Sequence, residues 1–164
     1  MRHVELHALV RLTSAEEVFA TVPRWERYPE LAPHVRATEV HATLPEPVGS
    51  SSWELHFRSG LLRWTEEDTF LPDLLQIRFE QTDGDFDSFE GVWSLSQQGP
   101  DVSVVFSADF DFGIPSLASI LDPIAERVIR ETIAWAVTGF FPGTTILDTD
   151  IDLDAAAAAA PTAS

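Results

Sequence analysis

The most constraining feature of this sequence is a series of alternating apolar and polar stretches that ends in one long helical segment. Each stretch has the period of two residues that is typical of a strand with one buried face. Turn residues such as Ser59-Gly60 and Gly99-Pro100 separate neighbouring stretches, which predicts antiparallel hairpins. The seven predicted strands are residues 3–12, 36–44, 51–58, 61–71, 75–81, 88–97 and 102–112.

Helical patterns occur in two parts of the chain. Ser14 and Glu17 have the spacing of a capping box, which predicts a short helix up to Val22, and residues 24–33 predict a second short helix between prolines. Residues 116–141 carry the one long helical pattern. Its predicted buried stripe consists of Leu117, Leu121, Ile124, Val128, Thr132 and Trp135.

This order of elements predicts an α+β fold, in which a curved seven-stranded antiparallel sheet wraps around the long C-terminal helix and two short helices follow the first strand. A flat sheet of this size would leave much of its apolar face in water. We therefore expect the sheet to bend around the helix and to enclose a hollow. Residues 1–143 are predicted to form this domain, and residues 144–164, acidic and then rich in alanine, are expected to be a flexible tail.

Composition excludes several classes of function. The 27 acidic and 10 basic residues give a formal charge of −17, which disfavours nucleic-acid binding and stable membrane association. The chain has no cysteine and its basic residues are all arginine, which excludes thiolate and Schiff-base chemistry. It shows no cofactor-binding or metal-ligating motif, so we expect neither group. The N-terminus carries no apolar targeting segment, from which we expect a cytoplasmic protein.

Strand parity indicates which side chains line the hollow. Successive side chains point to opposite faces, so the apolar positions of each strand are expected to face inward. Aromatic residues recur at these positions, which suits a flat, unsaturated or ring-forming ligand; in the alternative interpretation they only fill a core. The predicted ligand-contacting residues are Trp53, Phe57, Trp64, Phe89, Trp93 and Phe110 on the strands, with Val128 and Trp135 on the long helix.

Two acidic residues share the inward parity of the fourth predicted strand. Glu66 and Asp68 lie between Trp64 and Phe70 in the alternation. A carboxyl group surrounded by aromatic rings has a raised pKa, which suits general acid–base catalysis. The alternative is that a bulge turns Asp68, and with it Glu66, toward water. Both residues are candidate catalytic groups.

Glu131 on the long helix is a third acidic candidate. It lies at the edge of the apolar stripe, with Arg127 one turn before it. It is therefore either a catalytic acid or the partner of Arg127 in an ion pair. His34 lies before the second predicted strand and is a secondary candidate for proton transfer.

The order of elements over residues 3–141 resembles that of the START/SRPBCC (helix-grip) superfamily, which includes polyketide cyclases and aromatases, coenzyme Q-binding proteins and plant ligand carriers. Three stretches carry the resemblance: TSAEEVFATVPRWERYPELAPHV from Thr13, FEGVWSL at Phe89, and FSADFDFGIPSLASIL at Phe106. The last two are similar to the polyketide cyclase and coenzyme Q-binding branches. The resemblance implies a helix-grip fold and places Tyr28 at the pocket mouth, where its hydroxyl either binds a ligand carbonyl or only closes the hollow.

The resemblance implies a cofactor-independent, polyketide cyclase/aromatase-like enzyme that folds a poly-β-carbonyl or related hydrophobic substrate for cyclisation and dehydration, as in bacterial antibiotic biosynthesis. The sequence departs from the aromatase/cyclases at their pocket arginine, which Asp68 replaces here, while Arg63 has the opposite parity. The alternative is a non-catalytic carrier of a quinone or polyketide. The negative charge disfavours docking to an acidic acyl carrier protein, which favours a released substrate. The sequence is compatible with a homodimer.

Overall fold

The computed structural model describes residues 1–160 and contains an eight-stranded antiparallel sheet. The strands are β1 (Arg2–Val10), β2 (Val35–Ala42), β3 (Val48–Phe57), β4 (Gly60–Leu71), β5 (Gln76–Gly84), β6 (Ser88–Gln98), β7 (Asp101–Asp111) and β8 (Thr145–Ile146). Their order in the sheet is β2-β3-β4-β5-β6-β7-β1-β8. Consecutive strands from β2 to β7 therefore form hairpins, as predicted, and β1 closes the series against β7.

Four α-helices accompany the sheet: α1 (Ala15–Thr21), α2 (Tyr28–Leu31), α3 (Ala118–Phe140) and α4 (Leu153–Ala159). Ser14 caps α1, because its Oγ accepts a hydrogen bond from the Glu17 N–H at 3.2 Å, as the capping box predicted. The long helix α3 packs against β1 and β3 and covers the inner face of the sheet. This arrangement confirms the predicted α+β helix-grip architecture.

The buried face of α3 begins later than the sequence predicted. Residues 125–137 contain most of its buried side chains, whereas residues 113–124 contain none. Leu117, which the predicted stripe includes, is 40% exposed. It lies in a 3₁₀ turn before α3, and a turn of three residues rotates side chains away from the face that the α-helical period would give them.

Glycine allows one aromatic ring to lie close to the sheet. Gly91 in β6 is paired with Phe79 in β5. A Cβ atom at position 91 would lie 2.7 Å from the ring of Phe79, which is closer than real Cβ contacts come. The absence of a side chain at Gly91 therefore lets the Phe79 ring lie across the inner face of the sheet.

The segment after α3, for which composition predicted a flexible tail, contains secondary structure and contacts the domain. Residues 145–146 form β8, which pairs with Ala8 and Leu9 of β1. Arg130 of α3 donates hydrogen bonds to Asp148 at 3.1 Å and to Asp150 at 2.7 and 2.9 Å. These contacts join residues far apart in sequence, which composition alone does not register. The last four residues of the predicted tail, 161–164, lie outside the described residues.

Candidate active site

A cavity lies between the inner face of the sheet and α3. Its volume is about 50 Å³, which is room for a few water molecules and far less than the volume of pockets that hold drug-sized ligands. Aromatic and aliphatic side chains form most of its wall. The lining residues are Trp25, Tyr28, Trp53, Leu55, Trp64, Glu66, Phe79, Phe89, Trp93, Phe106, Ile129, Thr132 and Ile133.

The aromatic rings in this wall pack on one another and keep the cavity small. Trp53 and Trp64, paired across β3 and β4, stack with ring centroids 5.9 Å apart. Tyr28 meets Trp53 edge-on at 5.1 Å, and Phe79 meets Phe89 edge-on at 5.1 Å. Each such pair contributes about 0.5–1.5 kcal/mol beyond the burial of its surface. The protein's own side chains therefore fill most of the hollow that the fold encloses.

Glu66 is the acidic residue that lines the cavity. It is 5% exposed, and its Oε1 accepts a hydrogen bond from the Trp64 Nε1–H at 2.8 Å. Burial raises the pKa of its carboxyl group well above the ordinary value, and the neighbouring Asp68 raises it further. Among the described residues, no arginine or histidine lies close enough to lower this pKa.

Asp68 lies beside Glu66 on the same face of β4 and is fully buried. Its Oδ2 accepts a hydrogen bond from the Ser51 Oγ–H at 2.9 Å, and Ser51 Oγ in turn accepts one from the Trp53 Nε1–H at 2.9 Å. Its Oδ1 has no donor from the other described side chains unless Glu66 supplies one. Burial raises the pKa of Asp68, while hydrogen bonds from Glu66 and Ser51 lower it.

These contacts define the two residues as one acidic pair. Burial raises the pKa of both carboxyl groups, and the charge of Asp68 raises the pKa of Glu66 further, so the pair favours a protonated state. The alternative of a bulge that turns both side chains to water is wrong. A register shift does occur between Thr65 and Glu66 in the pairing with β5, but both carboxyl groups remain inside.

Tyr28 lines the cavity, but its hydroxyl proton is already used in a hydrogen bond to the backbone. Its hydroxyl donates a hydrogen bond to the Val22 carbonyl oxygen at 2.9 Å. Burial raises the pKa of Tyr28 well above its ordinary value, and the charges of Glu66 and Asp68 raise it further. In this geometry Tyr28 closes one wall of the cavity and holds the chain between α1 and α2, and it has no proton free for a ligand.

Glu131 lies outside the cavity wall and pairs with a histidine. Its Oε1 is 2.8 Å from His34 Nε2, and both side chains are buried. The predicted ion pair with Arg127 is wrong, because the loop before β2 brings His34 against this edge of α3. The His34 ring packs edge-on against Trp135 with centroids 4.9 Å apart. Neither Glu131 nor His34 contacts the same space as Glu66.

The predicted ligand-contacting residues divide into two groups. Four of them line the cavity: Trp53, Trp64, Phe89 and Trp93. The other four do not: Phe57, Phe110, Val128 and Trp135. Phe110, for example, faces inward but packs against Phe86 and Phe112, with centroids 5.6 Å from each. Parity gives the face of a strand and not the level along it, which accounts for Phe57 and Phe110. On α3, Trp135 instead packs against His34.

Sequence reasoning did not identify Trp25 or Phe79 as cavity residues. Trp25 lies in a 3₁₀ turn (Trp25–Arg27), where neither strand nor α-helical periodicity applies. Phe79 was identifiable, because it alternates with Ile77 in β5 and both are buried. The alternation of apolar residues in the fifth predicted strand was the signal for Phe79, and no comparable signal existed for Trp25.

Neither a membrane span nor a metal-ligand cluster occurs within residues 1–160. No helix there combines the length and the apolar composition that crossing a bilayer requires. No three histidine or acidic side chains are grouped as ligands of one ion in that part of the chain. The histidines of β1 bind a carboxylate instead, since His3 and His7 contact Glu5 at 2.8 and 3.1 Å.

A sequence profile of the family described as polyketide cyclase / dehydrase and lipid transport matches residues 13–136. Because this match covers most of the chain, the protein belongs to that family. It has no significant match among curated protein sequences. The family match spans α1, the cavity and the larger part of α3, so the cavity-lining residues all lie within the matched region.

Solved structures of the same fold come from several sources. A protein of Thermus thermophilus is 23% identical with a TM-score of 0.74, over 85% of this chain and 94% of that one. The ZhuI aromatase/cyclase of a Streptomyces species is 15% identical with a TM-score of 0.72, over 85% and 93%. A START superfamily protein of Mycobacterium smegmatis is 20% identical with a TM-score of 0.69, over 84% and 94%. At these identities the likeness shows the shared helix-grip fold.

Proposed function

We propose that the protein binds a poly-β-carbonyl or related hydrophobic substrate in this cavity and catalyses its cyclisation and dehydration without a cofactor. Membership of the polyketide cyclase / dehydrase and lipid transport family supports this general kind of activity. The observation that carries the proposal is Glu66, a buried carboxyl group in an aromatic wall, beside the buried carboxyl group of Asp68. A carboxyl group with so raised a pKa can both donate and accept protons where ordinary carboxylates only accept them.

The acidic pair supplies the proton transfers of ring closure. When the proton bound by the acidic pair lies on Asp68, Glu66 is ionised. It then removes a proton from a CH₂ group between two carbonyls of the substrate. The resulting enolate carbon forms a bond to a second carbonyl carbon of the same chain. The alkoxide produced there takes the proton from Glu66 and becomes a hydroxyl group. Proton transfer of this kind contributes about 10²–10⁴-fold to rate.

Dehydration uses the same groups in the same order. Glu66 removes a further proton from the carbon next to the remaining carbonyl and returns it to the departing hydroxyl group, which leaves as water. A carbon–carbon double bond remains, and Glu66 is ionised again. The aromatic wall contributes by holding a flat chain in one folded conformation and by excluding bulk water.

The cavity must widen to accept such a substrate. Its volume of about 50 Å³ is well below the roughly 300–1,000 Å³ of small-molecule pockets. The least buried segment next to the cavity-lining part of α3 is the chain from Gly113 to Ile124, since residues 113–124 contain no buried side chain. Ile114 and Ile120 are exposed there. We expect this segment to move away from the sheet when a substrate binds.

A direct test compares Glu66 with its neighbour in sequence. The purified protein is incubated with a synthetic trioxo thioester chain, and ring-closed and dehydrated products are quantified by mass spectrometry against a protein-free control. Glu66→Gln is expected to lower the rate about 100-fold or more, because the side chain no longer exchanges a proton. Glu67→Gln is the matched control, since Glu67 is exposed on the opposite face of β4 and should leave the rate unchanged. Equal rates for the wild type and Glu66→Gln would refute the proposed role.

A second candidate function is that of a non-catalytic carrier of a hydrophobic small molecule. The family description includes lipid transport, and the cavity wall is almost entirely apolar. A carrier would bind the thioester chain or a quinone without converting it. Its affinity would also be the same in the wild type and in Glu66→Gln, so the same two proteins separate the two functions.

A further inference from the structure

Trp25, in the wall of the cavity, carries a buried hydrogen-bond donor without a partner. The side chain is 2% exposed and lines the cavity, yet its Nε1–H has no partner among the described residues. Buried N–H groups are almost always paired, and a donor left without a partner is costly. Such a group in the wall of a binding cavity indicates that a ligand atom completes it.

Most of the other polar groups of the wall are already engaged. Trp53 Nε1–H donates to Ser51, and Trp64 Nε1–H donates to Glu66. The Tyr28 hydroxyl donates to the Val22 carbonyl oxygen, and the Thr132 hydroxyl donates to the Val128 carbonyl oxygen at 2.7 Å. Of the indole donors in the wall, the Trp25 N–H is the one that is fully buried without a partner, and a ligand can use it without breaking an existing hydrogen bond.

The indole ring of Trp25 is held in a fixed position. It packs against Tyr28 with centroids 5.4 Å apart and meets Trp53 edge-on at 5.6 Å. Its backbone carbonyl oxygen accepts a hydrogen bond from the Thr38 hydroxyl at 2.9 Å, which ties the 3₁₀ turn to β2. A donor fixed in this way loses little entropy when it binds a ligand oxygen.

We propose that the Trp25 Nε1–H binds a carbonyl oxygen of a neutral ligand in the cavity that Glu66 lines. The oxygen must belong to a neutral group, because the charge of the Glu66–Asp68 pair repels carboxylates and the described cavity wall contains no arginine to offset it. The binding step rests on the geometry of Trp25. The catalytic part rests on the proposed function: the bond would strengthen as negative charge develops on the carbonyl oxygen during enolate formation.

The test uses two probes of nearly equal size, 2-acetylnaphthalene and 2-ethylnaphthalene, which differ in the carbonyl oxygen. Dissociation constants are measured from tryptophan fluorescence for the wild type, Trp25→Phe and Phe106→Leu. Phe106→Leu is the control, since Phe106 lines the same cavity and the change removes ring volume without removing a hydrogen-bond donor. Trp25→Phe is expected to weaken ketone binding about 3- to 10-fold relative to its effect on the hydrocarbon, as the loss of one hydrogen bond predicts. Phe106→Leu should change both affinities by equal factors.

A second measurement needs no variant that might alter folding. In the ¹⁵N-labelled wild type, the indole N–H resonance of Trp25 should move downfield with 2-acetylnaphthalene and stay in place with 2-ethylnaphthalene. The inference is overturned if this resonance responds equally to both probes, or if Trp25→Phe lowers both affinities by the same factor. Ketone-selective binding through Trp25 without conversion of the trioxo thioester would sustain the inference and refute the proposed catalysis. The opposite result is that Trp25→Phe converts the trioxo thioester at the wild-type rate and loses affinity equally for both probes. That result would refute the inference about Trp25 and leave the proposed catalysis in place.

Discussion

Two of the molecule's acidic pairs have the same spacing in sequence and opposite electrostatic character. Glu66 and Asp68 lie inside the fold without a basic partner, and burial raises the pKa of each. Asp148 and Asp150 lie against the guanidinium of Arg130 at the outside of the fold, and its hydrogen bonds lower the pKa of the exposed Asp150. Arg130 makes Asp148 and Asp150 (the outer pair) part of a structural ion-pair cluster, which we call the clasp. Glu66 and Asp68 (the inner pair) have no basic partner, so their environment favours the protonated carboxyl group. The environment of a carboxyl group, and not its type or spacing, therefore decides which role it takes.

The largest effect is expected from removal of the base of the outer pair. Arg130→Met should lower the free energy of unfolding by about 2–3 kcal/mol, because Asp148, only 12% exposed, loses its charged partner. The backbone carbonyl of Glu5 would lose a hydrogen bond from Arg130 as well. Urea unfolding followed by circular dichroism measures the change. Arg127→Met, at an exposed position of the same helix, is the control and should stay within about 0.5 kcal/mol of the wild type. If the ion pairs of Arg130 do not stabilise the fold, both variants will unfold at the same midpoint urea concentration.

A smaller effect of opposite sign is expected from the inner pair. A carboxyl group whose pKa is raised by folding stabilises the folded state at low pH, and this stabilisation is lost as the pH rises through the raised pKa. The wild type should therefore lose stability as the pH rises above the range in which ordinary carboxyl groups titrate. Glu66→Gln should flatten this dependence and be the more stable protein at pH 8, as measured by urea unfolding at each pH. A parallel pH dependence for the two proteins would contradict the raised pKa of Glu66.

The smallest effect is expected at Asp150. Its side chain is 66% exposed, so solvent screens its bond to Arg130, and exposed ion pairs contribute at most about 1 kcal/mol. Its pKa is lowered by folding, so whatever stability it adds is present above its ordinary pKa and is lost as the pH falls. Asp150→Asn should therefore cost less than Arg130→Met at pH 7 and nothing at pH 2, by thermal unfolding at the two pH values. If Asp150→Asn loses as much stability as Arg130→Met, the ion pair that stabilises the fold is the one with Asp150 and not the one with Asp148.

The sequence predicted the fold because its signals are local. Alternation predicted the strands that form the hairpins from β2 to β7, and the long helical period predicted α3. Alternation within β4 also placed Glu66 and Asp68 on the inner face, where the structure has them. Alternation did not give the position of each side chain along the strand relative to the cavity. For that reason it did not predict that Glu66 lines the cavity while Asp68 lies beside it.

The remaining features depend on contacts between distant parts of the chain. Helical spacing offered Arg127 as the partner of Glu131, but His34, 97 residues away, occupies that place. Composition did not indicate that Arg130 pairs with Asp148 and Asp150 in the segment after Gly143. Trp25 lies in a short turn without periodicity, so its position in the cavity follows from the packing of that turn against β2.

The central claim is that Glu66 carries a proton at neutral pH inside the cavity. Titration of ¹³C-labelled side-chain carboxyl groups by NMR, with the Glu66 signal identified by its loss in Glu66→Gln, measures this directly. We predict a carboxyl resonance that remains protonated well above the range in which the surface glutamates titrate. If the Glu66 signal titrates together with those of the exposed acids, the inner pair is ionised like the outer one and the proposed acid–base role is lost.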